Sequence, residues 1–365
     1  MFYPETLIEE IREKNDIVDV ISEYVALKRS GKQYFGLCPF HNEKSPSFSV
    51  DPTTQLYNCF GCHKAGNVFT FMGEYFSMTF PEAVESLGER AGVKLPEKTY
   101  SAEAKRNSDR KQKLFDINKD AANYFYSLLR HEPGAAGLKY FEERQLSEET
   151  MKKFALGFAA NHNSDLVQYL KNKGYTDDII KDSGLAVFNE QYGFRDKFIN
   201  RVMFPILNPS GKVIGFGGRV MEDGKVNAAG IKVAKYLNSP ETDIFDKSRN
   251  LFGLNFARTT RKGYLILCEG YMDVIAMHMA GFNQAAASLG TAFTSGHAML
   301  LRRYTKNIYL AYDSDGAGVK AALRNIGILR EAGLGCKIIN LEPYKDPDEF
   351  IKNLGAEEFQ KRIDE

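Results

Sequence analysis

Four residues in two matched pairs are the first sign of chemistry in this chain. Cys38 and His41 are separated by two residues, as are Cys59 and Cys62, and seventeen residues lie between the pairs. Two knuckles at that separation have the spacing of a zinc ribbon, each turning tightly enough to aim two ligands at one tetrahedral ion. Four protein ligands leave no open position, so one structural Zn²⁺ per chain is expected. Gly61 is expected to let the second knuckle turn. His63 breaks the spacing and is expected not to ligate.

A second constellation is acidic. YLILC precedes Glu269, NIYLAY precedes Asp313 and Asp315, and CKIIN precedes the KDPDEF stretch that holds Asp346 and Asp348. Short apolar runs followed by Gly and a helical pattern read as buried parallel strands. With AAASLG (285–290) they make four strands, and the five carboxylates fall just past strand carboxyl ends. In open α/β sheets that edge binds ligands. Asp313 and Asp315, two apart, face one side of an extended segment, and Gly316 and Gly318 permit close approach. Taken singly, each acid could equally be a solvated loop residue or a helix N-cap. Five in register point to a cation, because like charges so close raise one another's pKa. Oxygen ligands suit Mg²⁺ or Mn²⁺, ions that also bind phosphates.

These residues need elements to hold them. Length predicts two or three domains, and 43% hydrophobic with 26% charged residues is ordinary for globular protein. Five cysteines, an odd number, argue against a disulfide framework. No apolar run nears the ~20 residues that span a membrane, and the acidic, amphipathic N-terminus is not a signal peptide. A cytoplasmic protein is expected. Residues 4–29 predict two short helices broken near Asn15–Asp16, 47–57 predict strands around Asp51–Pro52, and 68–95 predict two helices. The polar, charged stretch 99–113 reads as a linker in preference to a solvated helix. Residues 114–181 are helical in pattern, with Ser147 as an N-cap and Arg144 just before it. VMFPIL and VIGFGG are strands joined by the Asn208–Gly211 turn. From Gly193 to Lys262 thirteen Lys/Arg stand against six Asp/Glu, a net +7 that suits phosphate binding. In the zinc region Tyr34, Phe35, Phe48, Tyr57 and Phe60, with Lys32, Lys44 and Lys64, either stack on single-stranded nucleic acid or form a small core. Cys268 and Cys336 lie in apolar strands and are expected in the core.

E-G after an apolar strand, D-x-D after the next but one, and a D-P-D loop resemble the Toprim domain. Beyond that domain, CPFHNEKSPSF, CFGCHKAGN, NRVMFPI, GKVIGFGGRV, KYLNSPET and EGYMDVIA, in this order, resemble bacterial DnaG-type primases over essentially the whole chain. The resemblance implies an α/β and α+β multidomain chain. Residues 1–98 would be a zinc-ribbon DNA-binding domain, 99–113 a linker and 114–262 a mixed α+β basic subdomain. Residues 263–350 would be a Toprim-type parallel-sheet subdomain, and 351–365 the start of a C-terminal helical region. It implies primer RNA synthesis on single-stranded DNA from ribonucleoside triphosphates. Asp313, Asp315, Asp346 and Asp348 would ligate two or more Mg²⁺ or Mn²⁺ ions, and Glu269 would ligate or act as general base. Arg144, Arg201, Arg219, Lys235 and Asn238 would contact nucleotide or template. It also implies a monomer that meets a replicative helicase through a C-terminal domain absent from these residues, with single-strand binding protein as a further partner and no membrane. Three rivals fit less well. A type IA topoisomerase needs a nucleophilic Tyr in a further domain. A phage-type primase–helicase would carry GxxxxGK[ST], which is missing here. A non-catalytic single-strand binding protein has no use for the five acids.

Overall fold

Asp16 decides where the first helix pair breaks. Its side chain accepts hydrogen bonds from the Val18 and Asp19 N–H groups, which ends the approach from α1 (Glu5–Glu13) and starts α2 (Ile17–Ser22). The computed structural model describes residues 3–41, 43–76, 78–95, 102–224 and 232–365. They fall in two compact units, Met1–Ser101 and Ala102–Glu365.

In the first unit β1 (Lys28–Ser30), β2 (Gln33–Gly36), β3 (Phe48–Asp51), β4 (Leu56–Cys59) and β5 (Ala65–Gly66) pair antiparallel in chain order. α3 (Val68–Phe76) and α4 (Phe80–Arg90) follow. Ile11, Ile17, Ile21, Phe48, Val50, Tyr57, Phe71 and Leu87 fill one core between sheet and helices. Phe48 and Tyr57 are therefore spent on packing, while Phe60 stays 63% exposed.

The second unit opens on α5 (Ala102–Leu129). This corrects the linker reading: 99–101 lie outside the described residues, but 102–113 are the first turns of a helix. Residues 106–113 are all exposed, which is why their polarity resembles a linker. Ion pairs from Arg110 to Asp182 (2.9 Å) and Asp243 (3.5 Å) tie this solvated segment to the rest of the unit. Next come α6 (Ala135–Glu143), α7 (Glu148–Lys153), β6 (Gly157–Ala159), α8 (Asp165–Asn172), α9 (Asp177–Asp182) and a hairpin of β7 (Ala186–Asn189) and β8 (Gly193–Asp196). Ser147 caps α7 as expected, accepting from the Thr150 N–H at 3.2 Å. β9 (Arg201–Leu207) and β10 (Val213–Val220) are the expected strand pair, extended to an antiparallel sheet by β6 and by β11 (Tyr236–Asn238), in the order β11-β10-β9-β6. Pro205 is tolerated in β9 because β6 pairs only with Arg201, Val202 and Met203, so no ladder bond is needed at Pro205 on that side.

After α10 (Leu254–Ala257) the chain builds a second sheet from β12 (Leu265–Cys268), β13 (Ala285–Ala287), β14 (Asn307–Leu310) and β15 (Gly335–Ile338). α11 (Tyr271–Met279), α12 (Ser295–Leu301) and α13 (Gly316–Glu331) connect the strands, and α14 (Pro347–Asp364) follows the last. All pairs are parallel and the order is β13-β12-β14-β15. The chain steps from β12 to one side and then returns to its other side, so the sheet has a switch point between β12 and β14. The helix expected from 351 starts earlier, since α14 begins at Pro347 and carries a break at Gly355 (φ 79°). Phe350 and Phe359 bury it in the same core as β9 and β12. Cys268 is buried and Cys336 half-buried. Among the described residues no helix is long and apolar enough to cross a membrane.

Candidate functional site

The four expected zinc ligands converge. Ligand atoms of Cys38, His41, Cys59 and Cys62 all lie within 4.8 Å of one another. The Cys38 and Cys62 sulfurs are 3.8 Å apart, and Cys59 Sγ is 3.7 Å from His41 Nδ1. Ligands ~2.3 Å from one tetrahedral ion stand ~3.8 Å from each other, so the cluster has the dimensions of a zinc site. Burial pushes the Cys38 thiol up, which a bound cation would reverse. A second layer is also in place. With Nδ1 facing the sulfurs, His41 Nε2 faces Glu43 Oε2 at 3.2 Å, the carboxylate–histidine arrangement that fixes a ligand tautomer. The Phe40 and Cys62 N–H groups donate to Cys38 Sγ and Cys59 Sγ, each at 3.4 Å. Gly61 is needed for a different reason from the one expected. A Cβ there would sit 2.6 Å from His41 Nε2, so Gly61 makes room for the ligand ring. His63 stays outside the cluster.

The acids gather at the switch point of the parallel sheet without converging so tightly. Glu269 follows β12, and its Oε1 accepts the Asp313 N–H at 3.0 Å, bridging the two strand ends. Gly318 permits this contact: an added Cβ would meet Asp313 O at 2.1 Å and Glu269 Oε1 at 2.9 Å. Burial first, then Asp313, raises the Glu269 pKa; burial first, then Asp346, raises that of Asp313. Asp315 and Asp346 cap α13 and α14 through one oxygen each. Asp315 Oδ1 accepts from Ala317 and Gly318 N–H, and Asp346 Oδ1 from Glu349 N–H. The N-cap role engages one oxygen of each carboxylate and is compatible with a ligand role for the other. Asp348 is different. It is buried and already paired with Lys352 (2.8 Å) and Arg144 (3.5 Å). The reading from sequence missed Asp273. Its Oδ2 accepts the Gly270 N–H at 2.9 Å, and burial, Asp346 and Asp313 push its carboxyl up to about 7. The signal was present, since a residue four past Glu269 in a first helical turn returns to the same strand end. Mutually destabilised carboxylates of this kind are a donor set that fits a divalent cation.

The basic residues divide. Arg144, over the Tyr140 ring at 5.3 Å, links this group to Asp348. Arg219 lies over the same ring at 4.8 Å and donates to Asp223 at 3.0 Å. Exposed Lys235 shares Asp223 at 3.5 Å. Arg201 is engaged within the protein. It is 5% exposed, and its guanidinium donates to the carbonyls of Gly218, Ala234 and Lys235. It braces the residues leading into β11 against β10, so most of its donors are spent on the backbone; Arg219 is buried nearly as deeply, at 7% exposed. Asn238 is also engaged, donating to Leu289 O at 2.6 Å and accepting from Tyr271 Oη at 2.7 Å. Tyr271 fits there because Gly217 has no side chain; a Cβ would lie 2.4 Å from the ring. Lys225, counted in the basic segment, lies outside the described residues.

Comparison with known proteins covers the whole chain. Residues 3–103 match the CHC2 zinc finger family, 124–258 the DNA primase catalytic core N-terminal domain, and 266–351 a Toprim-like family. The DNA primase of Clostridium acetobutylicum is 45% identical over 361 residues, 99% of this chain and 59% of that protein. That of Halalkalibacterium halodurans is 43% identical over 99% of this chain and 59% of that protein. The chain thus spans less than two thirds of these relatives' length. The crystal structure of the Aquifex aeolicus primase zinc-binding and RNA polymerase domains matches with a TM-score of 0.63 and 35% identity, covering 100% of this chain and 85% of that one. A DnaG primase catalytic domain bound to single-stranded DNA matches 70% of this chain and 80% of that one, at 35% identity and a TM-score of 0.63.

Proposed function

The chain belongs to the bacterial DnaG-type primase family, and from that premise we propose that it is a nucleotidyltransferase that builds short RNA primers on single-stranded DNA. A ribonucleotide 3′-hydroxyl attacks the α-phosphate of an incoming ribonucleoside triphosphate, and pyrophosphate leaves. The observation that carries this reading is the Glu269–Asp313 contact at the sheet's switch point, ringed by Asp273, Asp315 and Asp346. Mg²⁺ or Mn²⁺ held there by Glu269, Asp313, Asp315 and Asp346, and by Asp348 if it gives up its Lys352 or Arg144 partner, would supply charge to the attacking and leaving oxygens. Glu269, raised by burial, is placed to ligate or to take the proton of the attacking hydroxyl.

Arg219 and Lys235 converge on Asp223, whose carboxylate stands where a phosphate of nucleotide or template would bind. Arg144 ties that basic group to the acidic edge through Asp348. Asn238 and Arg201 act by positioning. The zinc at Cys38, His41, Cys59 and Cys62 is structural, and exposed Phe60, Lys32 and Lys44 offer the template a stacking face and charge. For the whole protein we place the reaction in the cytoplasm, with a monomeric enzyme meeting a replicative helicase and single-strand binding protein.

Template-dependent ribonucleotide incorporation with Mg²⁺ tests the reading. Asp313→Asn should lower it by about two orders of magnitude or more while single-stranded DNA binding holds. Incorporation untouched by Asp313→Asn would refute it.

A further inference from the structure

The amino ends of the parallel strands carry a charge pattern that the acidic edge does not explain. No Asp or Glu occurs in 247–268 or in 274–312, yet these stretches hold Arg258, Arg261, Lys262, Arg302, Arg303 and Lys306. The fold brings them together. Gly263, just before β12, accepts hydrogen bonds from Thr305 Oγ1 (2.9 Å) and Asn307 Nδ2 (3.3 Å), so the 261–263 turn and the 302–307 turn share one surface. Burial raises the Tyr304 phenol, and the positive charges of Arg258 and Arg303 pull against it. Arg261, Lys262, Arg302, Arg303 and Lys306 are exposed. Among the described residues, no carboxylate forms an ion pair with any of the six. Arg302 reaches only the Ala332 carbonyl, at 3.5 Å.

An unpaired cluster of this kind is a polyanion footprint. We infer that the amino edge of the parallel sheet is a second, sequence-independent contact for a nucleic-acid backbone, separate from the reacting edge. Strands of four residues at ~3.3 Å each put it on the order of 13 Å or more from the acids. A strand must therefore extend several nucleotides past the reacting phosphate to reach it. Arg side chains suit bidentate phosphate contacts and the lysines add point charge. The partner is a phosphodiester backbone and not an acidic protein, because five exposed cations without an ion-pair partner among the described residues share this edge and the neighbouring site, on the polymerase reading, already handles such a strand. This rests on the polymerase reading.

The test is binding of a short and a long oligothymidylate to the full chain across a salt series. It compares wild type with Arg302→Ala/Arg303→Ala/Lys306→Ala and, on the other turn, Arg261→Ala/Lys262→Ala. For the long strand the slope of log K against log salt should fall by about 0.7 for each phosphate no longer neutralised, so by up to ~2 in the triple variant. The short strand should bind as before, and ribonucleotide addition on a short template should be unchanged. Equal slopes for wild type and both variants on the long strand would overturn the inference. A chain inactive on every template would sink the polymerase reading instead, and the slopes would still decide whether this edge binds.

Discussion

Gly318→Ala isolates the geometry of the acidic edge from its charge. The added methyl would lie 2.1 Å from Asp313 O, 2.8 Å from its carbonyl carbon and 2.9 Å from Glu269 Oε1. An ordinary C···O contact is ~3.3 Å or more, so something must move by about 1 Å. Gly318 is held, because its N–H donates to the Asp315 cap at 2.9 Å. The Asp313 peptide and the Glu269 carboxylate must therefore yield, and they are the two groups that bridge β12 and β14. Overpacking costs about 1–3 kcal/mol, while Ala in place of Gly in a helix returns about 1 kcal/mol. The net loss is roughly 0–2 kcal/mol, and Tm should fall by no more than about 8 °C for a unit of this size. Misplacing reacting groups by ~1 Å costs on the order of 100-fold in rate. The variant should therefore melt almost normally and bind single-stranded DNA normally, yet incorporate ribonucleotides about a hundredfold more slowly. Gly316→Ala is the control, since an added Cβ there meets nothing within 4 Å. Full activity in Gly318→Ala would refute the claim that the Glu269–Asp313 spacing matters.

Cys59→Ser should lose the zinc by metal analysis and loosen the Met1–Ser101 unit, while the melting of Ala102–Glu365 is retained; full zinc occupancy would contradict the ligand assignment. Asp273, pushed up to about 7, is penalised as an anion, so the stability it contributes is present below the ordinary carboxylate range and is lost as pH rises through about 7. In chelator-treated protein Asp273→Asn should flatten the fall in Tm between about pH 5 and pH 8, and an unchanged fall would disprove this. Tyr271→Phe removes the hydrogen bond to Asn238 and should cost about 0.5–1.5 kcal/mol, read as a rise in KM larger than the drop in kcat; the reverse split would assign Tyr271 a role in chemistry. Arg219→Ala should weaken nucleotide or template binding, with the salt slope for a single strand falling by about 0.7 if the contact is to DNA phosphate.

Local signals were readable from sequence and long-range ones were not. The Cys38–Cys62 quartet depends on spacing within two tight knuckles, and β12 and β14 announce themselves as apolar runs ending in an acid and a glycine. Arg201 looks available in the sequence because nothing nearby in the chain occupies it; its partners lie at 218, 234 and 235. Asp273 is hidden inside a helical pattern that accounts for its neighbours Met272 and Val274 as core. The helix over 102–113 lacks an apolar stripe and is anchored by ion pairs to residues some seventy or more positions away. Gly61 and Gly217 are visible as glycines, but the rings that need their space, His41 and Tyr271, come from elsewhere in the chain.

Asp315 and Asp346 each spend one oxygen on the first turn of a helix, and on the proposed reading the other faces an ion. Whatever occupies the second oxygen is thereby coupled to the fraying of α13 and α14. A cation that draws charge out of the carboxylate weakens its hold on the Ala317, Gly318 and Glu349 amides, and one that orders the loop protects them. On the proposed reading, amide exchange at those three positions would change with ion occupancy. It can be read without substrate and without turnover, at helix ends that lie outside the reacting atoms.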